Sequence, residues 1–147
     1  MYYTPPAYNS SFAWYPNETV PIFTRGQKMY SNNGQYLLEF QQSDGNLVLS
    51  KVSSGQVLWS IQKTGGSYMK FHKDGNFLMY NGSNQYIWSS DIYSAGGDFT
   101  DGQKMYFILQ DDGNLVFEWN GLTYTDVVGA TGTGGGIVSS HFGSLKL

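Results

Sequence analysis

Three stretches of this chain decide its fold: Gln42-Ser43-Asp44-Gly45-Asn46-Leu47-Val48, His72-Lys73-Asp74-Gly75-Asn76-Phe77-Leu78 and Gln110-Asp111-Asp112-Gly113-Asn114-Leu115-Val116. Each sets an Asp-Gly pair between alternating residues, the strongest short-range signal of a β-hairpin. In the second stretch Met69 and Phe71 alternate with Tyr68, Lys70 and His72 before the turn, and Phe77 and Met79 alternate with Leu78 and Tyr80 after it. A loop of Lys73-Asp74-Gly75, with Gly75 at positive φ, pairs His72 with Asn76 and Phe71 with Phe77, so both strands share one apolar face. A two-residue loop would pair His72 with Phe77 and scramble the faces.

That register gathers Asn76, Leu78 and Tyr80 at period two on the less apolar face, with His72 opposite Asn76 and Asp74 at the turn. The same geometry is expected to gather Gln42, Asp44, Asn46 and Val48 in the first stretch. In the third it gathers Gln110, Asp112, Asn114 and Val116, with Leu109, Leu115 and Phe117 inward. The first fits least cleanly, because Gln41 falls in the inward slot that Phe71 and Leu109 hold elsewhere.

Asp44 to Asp74 is 30 residues and Asp74 to Asp112 is 38, the longer interval holding an inserted loop at 91–98. After the first two stretches comes a second matching element, Gln56-Val57-Leu58-Trp59-Ser60 and Gln85-Tyr86-Ile87-Trp88-Ser89; the third has no Trp at that spacing. A unit of about 30 residues cannot bury its inner face alone, whereas three such units sharing an axis enclose a common core. An all-β, three-sided prism is expected, with Trp59 and Trp88 at its centre and Trp119 serving the third unit by another route. The 147 residues fit one domain, 1–147, with the repeats over about 26–135. Segments 1–25 and 136–147 would complete the core or a dimer interface.

The outward cluster of amide, carboxylate and amide beside an aliphatic side chain is a fixed array of donors and acceptors next to a small apolar patch. A pyranose, with vicinal hydroxyls around a C–H face, is its natural complement. Each bond nets only about 0.5–1.5 kcal/mol, so weak sites used several times are expected.

The repeated Gln-x-Asp-x-Asn-x-Val-x-Tyr pattern resembles the signature of the bulb-type mannose-binding lectins, the snowdrop-agglutinin-like β-prism II family. The likeness recurs three times and covers roughly residues 26–135. It implies three four-stranded antiparallel sheets around a pseudo-threefold axis, up to three shallow mannose sites, and a homodimer made by C-terminal strand exchange. The family's contacts to the 2-hydroxyl would fall on Asp44 and Asn46, Asp74 and Asn76, and Asp112 and Asn114. Its contact to the 3-hydroxyl would fall on Gln42 and Gln110, with His72 replacing the middle Gln. The aliphatic contact corresponds to Val48, Leu78 and Val116. The tyrosine survives only as Tyr80, with Ser50 and Glu118 in its place elsewhere. These departures rank the third unit first, the first second and the middle last. The chain resembles the cysteine-free relatives found outside plants.

Other chemistries find little support. Eight Lys and Arg against eleven Asp and Glu, with no basic run, argue against nucleic acid. With no cysteine and two histidines, His72 and His141, thiol chemistry is excluded and a multi-histidine metal centre nearly so. Asp111-Asp112-Gly113-Asn114 lacks the spaced ligands of a calcium loop, and the glycine-rich 129–136 segment lacks the Lys-Ser/Thr of a phosphate loop. No nucleophile, base and acid set is visible, so neither catalysis nor a cofactor is expected. No apolar run suits membrane insertion, and the first residues do not read as a signal peptide. The alternative to sugar binding is a non-catalytic structural or protein-interaction prism with decayed sites.

Overall fold

The computed structural model describes residues 13–14, 21–72, 74–92, 105–120 and 125–145. Their strands form three four-stranded antiparallel sheets, and no α-helix is present among them. The first sheet holds β3 (Lys28–Tyr30), β4 (Tyr36–Phe40), β5 (Leu47–Lys51) and β6 (Val57–Ser60) in sequence order. The second joins β2 (Phe23–Thr24) to β7 (Gly66–Phe71), β8 (Phe77–Asn81) and β9 (Tyr86–Ser89). The third joins β1 (Ala13–Trp14) to β10 (Met105–Leu109), β11 (Leu115–Asn120) and β12 (Thr125–Ala130). The leading segment thus visits the three sheets in turn and gives each its first strand. The expected insertion lies mostly outside the described residues, as does the side chain of Trp119.

The hairpins follow from alternation and from one glycine each. Phe71 pairs with Phe77 and Leu109 with Leu115, while His72 N donates to Asn76 O at 2.8 Å and Gln110 N to Asn114 O at 2.9 Å. Gly45, Gly75 and Gly113 sit at φ of 75°, 94° and 94°, a region that side-chain-bearing residues rarely adopt. Gly45 is fixed by space as well, since a Cβ there would lie 2.4 Å from the Gly66 backbone nitrogen.

The first hairpin differs from its sequence-derived register. Phe40, not Gln41, pairs with Leu47, and Gln41 N donates to Asn46 O at 2.8 Å. The loop therefore holds one residue more, Gln42 to Gly45, and Gln41 is the counterpart of His72 and Gln110. The reason is burial: Phe40 is fully buried, and the longer loop lets it face inward instead of Gln41.

The inward faces meet in a single core. Phe71, Phe77, Phe107 and Phe117 contact one another with ring centroids 4.9–6.2 Å apart, mostly edge-on or tilted. Trp59 and Trp88 are buried and pack edge to face at 6.3 Å, so the centre is shared between tryptophans and this phenylalanine cluster. The trailing segment folds back on β6: Ser139 N donates to Leu58 O at 2.7 Å and Gly143 N to Ser60 O at 2.9 Å. Leu145 is fully buried in the core, and its carbonyl accepts from Ala130 N at 2.7 Å.

Adjacent sheets are tied at their turns. Arg25 Nε donates to Gln42 O at 2.9 Å and its Nη2 to Ser43 O at 3.2 Å, while Gly65 N donates to Asp44 O at 2.8 Å. At the next vertex Asn33 N donates to Asp111 Oδ1 at 2.8 Å.

Candidate functional site

Each repeat builds its outward array in the same way. One oxygen of Asp44, Asp74 and Asp112 accepts from the backbone N of the Asn two residues on, at 2.9 Å in all three. These are Asx turns, so the aspartates shape the hairpin whatever else they do. Asn76 Oδ1 accepts from Ser89 Oγ, Ser90 Oγ and Asp91 N at 2.9–3.1 Å. Asn114 Oδ1 accepts from Thr131 Oγ1, Gly132 N and Thr133 N at 3.0–3.2 Å. Each asparagine therefore spends its carbonyl on the end of the third strand of its hairpin set.

Asn46 departs from this pattern, because Ile61 stands where Ser90 and Thr131 stand in the other repeats. Its Oδ1 is buried without a hydrogen-bond partner.

A β-bulge follows at one equivalent place in every repeat, between Leu49 and Ser50, Met79 and Tyr80, and Phe117 and Glu118. Bulges re-aim the neighbouring side chain. They sit where the repeated pattern has its terminal tyrosine or the residue replacing it.

In the second repeat the outward groups bind one another. His72 Nε2 lies 3.1 Å from Tyr80 Oη, spanning the ground above Asn76 and Leu78. Tyr80 also stacks on Tyr68, its cross-strand partner, at 5.0 Å and 9°. The third repeat is similarly occupied. Tyr106 pairs across the strands with Glu118, and its hydroxyl donates to Glu118 Oε2. Tyr106 and Val116 are each only 2 % exposed. Asp112 is flanked by the Gly134–Gly136 turn, whose Gly135 N donates to Asp112 O at 2.8 Å.

A groove of about 310 Å³ runs along the outward face of β3–β6, lined by Gln41, Glu39, Val48, Ser50, Leu37 and Val57, with Tyr30 and Val52 toward its far end. With its amide nitrogen turned to Asp44, Gln41 donates to Oδ1 at 3.0 Å and Oδ2 at 3.2 Å. Gln42, the residue expected there from sequence, lies on the other side of the loop, its side-chain oxygen beside Gly26.

Sequence reasoning missed three groups: Gln41, Glu39 and Tyr106. The first was legible, because matching Leu47 to its counterparts Phe77 and Leu115 demands an inward aromatic or aliphatic partner, and Phe40 supplies it. Glu39 and Tyr106 belong to neighbouring strands, whose register the repeated motif does not carry.

Among the described residues no group of three His, Asp or Glu is placed to hold a metal ion, and no helix is long and apolar enough to cross a membrane.

No protein-family model and no curated relative matches the sequence. Solved structures do. A lectin from Marasmius oreades aligns at TM-score 0.66 and 24 % identity, over 86 % of this chain and 93 % of its own. A monomeric monocot mannose-binding lectin from Gastrodia elata aligns at 0.65 and 27 %, over 84 % and 98 %. The mannose-specific agglutinin of snowdrop, Galanthus nivalis, solved with methyl-α-D-mannoside, aligns at 0.55 and 29 %, over 72 % and 87 %. Three hairpin repeats, one Asx turn in each and these alignments agree: the chain has the β-prism II fold of the snowdrop-agglutinin-like lectins and is similar to bulb-type mannose-binding lectins, with no cysteine.

Proposed function

We propose that this chain is a non-catalytic lectin that binds mannose or mannose-containing glycans, and that the groove of the first sheet is its leading site. The observation that carries the reading is that groove: it lies beside the hairpin turn and joins an amide, Gln41, and a carboxylate, Glu39, to an aliphatic floor, Val48. A hexose fits such a surface because its hydroxyls replace water on the polar groups while its C–H face covers the valine. Gln41, Asp44 and the Asn46 amide nitrogen are the proposed hydrogen-bonding groups, and Val48 the apolar contact. Relatives solved with methyl-α-D-mannoside and monomannoside support mannose as the sugar.

The second and third repeats are proposed as weaker sites through His72, Asp74, Asn76, Leu78 and Tyr80, and through Gln110, Asp112, Asn114, Val116 and Glu118. Their internal His72–Tyr80 and Tyr106–Glu118 bonds must be broken or shared when a sugar binds, which lowers the gain.

A glycan array with the purified protein and its Asp44→Ala variant tests the proposal. Binding of mannosides that weakens in the variant supports it. Absence of any mannoside binding at millimolar concentration transfers the case to the interaction-prism reading.

A homodimer by C-terminal strand exchange is a further part of the proposal. β12 pairs with β11 of its own chain, and the same contacts made between two chains would build the exchanged form. Light scattering distinguishes one chain from two.

A further inference from the structure

Three Asn-Gly pairs occur in the chain: Asn33-Gly34, Asn81-Gly82 and Asn120-Gly121. In such a pair the glycine nitrogen can attack the asparagine side-chain carbonyl, because no Cβ on the second residue shields the approach. Gly121 lies outside the described residues. The other two pairs differ in what the fold does with the attacking nitrogen.

Asn81 opens the turn between β8 and β9. Its Oδ1 accepts from Ser83 N at 2.9 Å and from Gln85 N at 3.0 Å. The first bond draws the side chain over the peptide that carries Gly82 N. Together the two amides face the oxygen on which negative charge develops during attack at Cγ, the arrangement of an oxyanion hole. Gly82 N donates to no acceptor among the described residues, and Gly82 is exposed, so water reaches its proton. The leaving group, Nδ2, is held only at the surface, by Gln85 Oε1 at 3.2 Å.

Asn33 has a similarly held carbonyl, with Ser31 Oγ at 2.7 Å and Gln35 N at 3.1 Å on its Oδ1. Its nucleophile is engaged, however, because Gly34 N donates to Ser31 O at 2.9 Å. Its Nδ2 also donates to Asp111 O at 3.1 Å, which pins the leaving group to the third sheet.

We propose that Asn81 is a self-modifying site, where the folded turn converts the asparagine into aspartate and isoaspartate. Water takes the Gly82 N–H proton, the nitrogen bonds to Asn81 Cγ, and the Cγ–Nδ2 bond breaks with release of ammonia, leaving a cyclic imide. Water then opens either imide carbonyl. Amide and water become carboxylate and ammonium, so the reaction needs no other reagent and adds one negative charge to the formal −3 of the chain. Opening at Cγ gives aspartate, which keeps the acceptor for Ser83 N and Gln85 N. Opening at the backbone carbonyl gives isoaspartate, whose main chain gains a methylene. The carbonyl that accepts from Asn84 N at 3.1 Å then leaves the main chain, and the hairpin loosens beside the Tyr80–Tyr86 pair.

The test incubates the full chain at mildly alkaline pH in heavy-oxygen water, folded and in urea, and maps the labelled carboxylates by peptide mass spectrometry. In the folded chain Asn81 should convert at least about ten-fold faster than Asn33, and in urea the two rates should agree within about two-fold. Gly82→Ala places a methyl group where nothing lies within 4 Å, so the chain should keep its melting temperature while Asn81 conversion slows at least about ten-fold. The isoaspartate form, separated by ion exchange, should melt below the aspartate form. Asn33 reacting as fast as Asn81 in the folded chain, or Asn81 reacting more slowly folded than in urea, overturns the proposal. So does an unchanged Asn81 rate in Gly82→Ala.

Discussion

Gln41 and Gln42 are neighbours of the same chemistry, yet only one of them faces the groove, and truncating each in turn asks which. Gln41→Ala removes the amide that donates to both Asp44 oxygens at 3.0 and 3.2 Å and that lines the groove. A single neutral hydrogen bond to a sugar hydroxyl nets about 0.5–1.5 kcal/mol, which corresponds to a loss of roughly two- to thirteen-fold in affinity. Loss of the brace on Asp44 adds to this, because the carboxylate then reorients at the turn. Gln42→Ala should leave affinity within about two-fold, since the interaction Gln42 makes with Arg25 uses its backbone carbonyl and survives truncation. NMR titration with methyl α-mannoside measures both variants against the wild-type chain. A cycle with Asp44→Ala adds a second readout, expecting non-additivity of at least about 0.5 kcal/mol for Gln41 and none for Gln42. Weakened binding in Gln42→Ala with unchanged binding in Gln41→Ala would falsify the register on which the site is built.

Three further outcomes follow from the same contacts. Thr131→Val keeps the shape of a fully buried side chain but strips the hydroxyl from Asn114 Oδ1 and Leu115 N, so it should cost about 2–4 kcal/mol, seen in urea unfolding, whereas Thr131→Ser should cost about 1. Gly45→Ala forces a side chain into φ of 75° and onto the Gly66 backbone, and should lower stability by at least about 2 kcal/mol; a melting point equal to the wild-type value would argue against the close contact of the two sheets. Removing residues 137–147 deletes the buried Leu145 and the bonds to Leu58 and Ser60 carbonyls, and should destabilise the fold by several kcal/mol.

How much of this was written in the sequence is visible residue by residue. The Asp-Gly turns and their period-two flanks announced three hairpins, because positive φ and alternation are local properties that survive in one dimension. His72 opposite Asn76 and Gln110 opposite Asn114 came directly from them. The first hairpin resisted, because Gln41-Gln42 offers two equivalent polar neighbours and only the burial of Phe40 chooses between loop lengths. Which outward side chains bind one another was not legible at all. His72 and Tyr80 are eight residues apart, and Tyr106 and Glu118 twelve, and their side chains meet only after the strands pair and the bulges turn them together. Sequence by itself determined the turns, the repeat and the residue types on each face. Tertiary structure alone decided the register of the first loop and the His72–Tyr80 and Tyr106–Glu118 contacts, since these depend on what lies across the strand rather than along it.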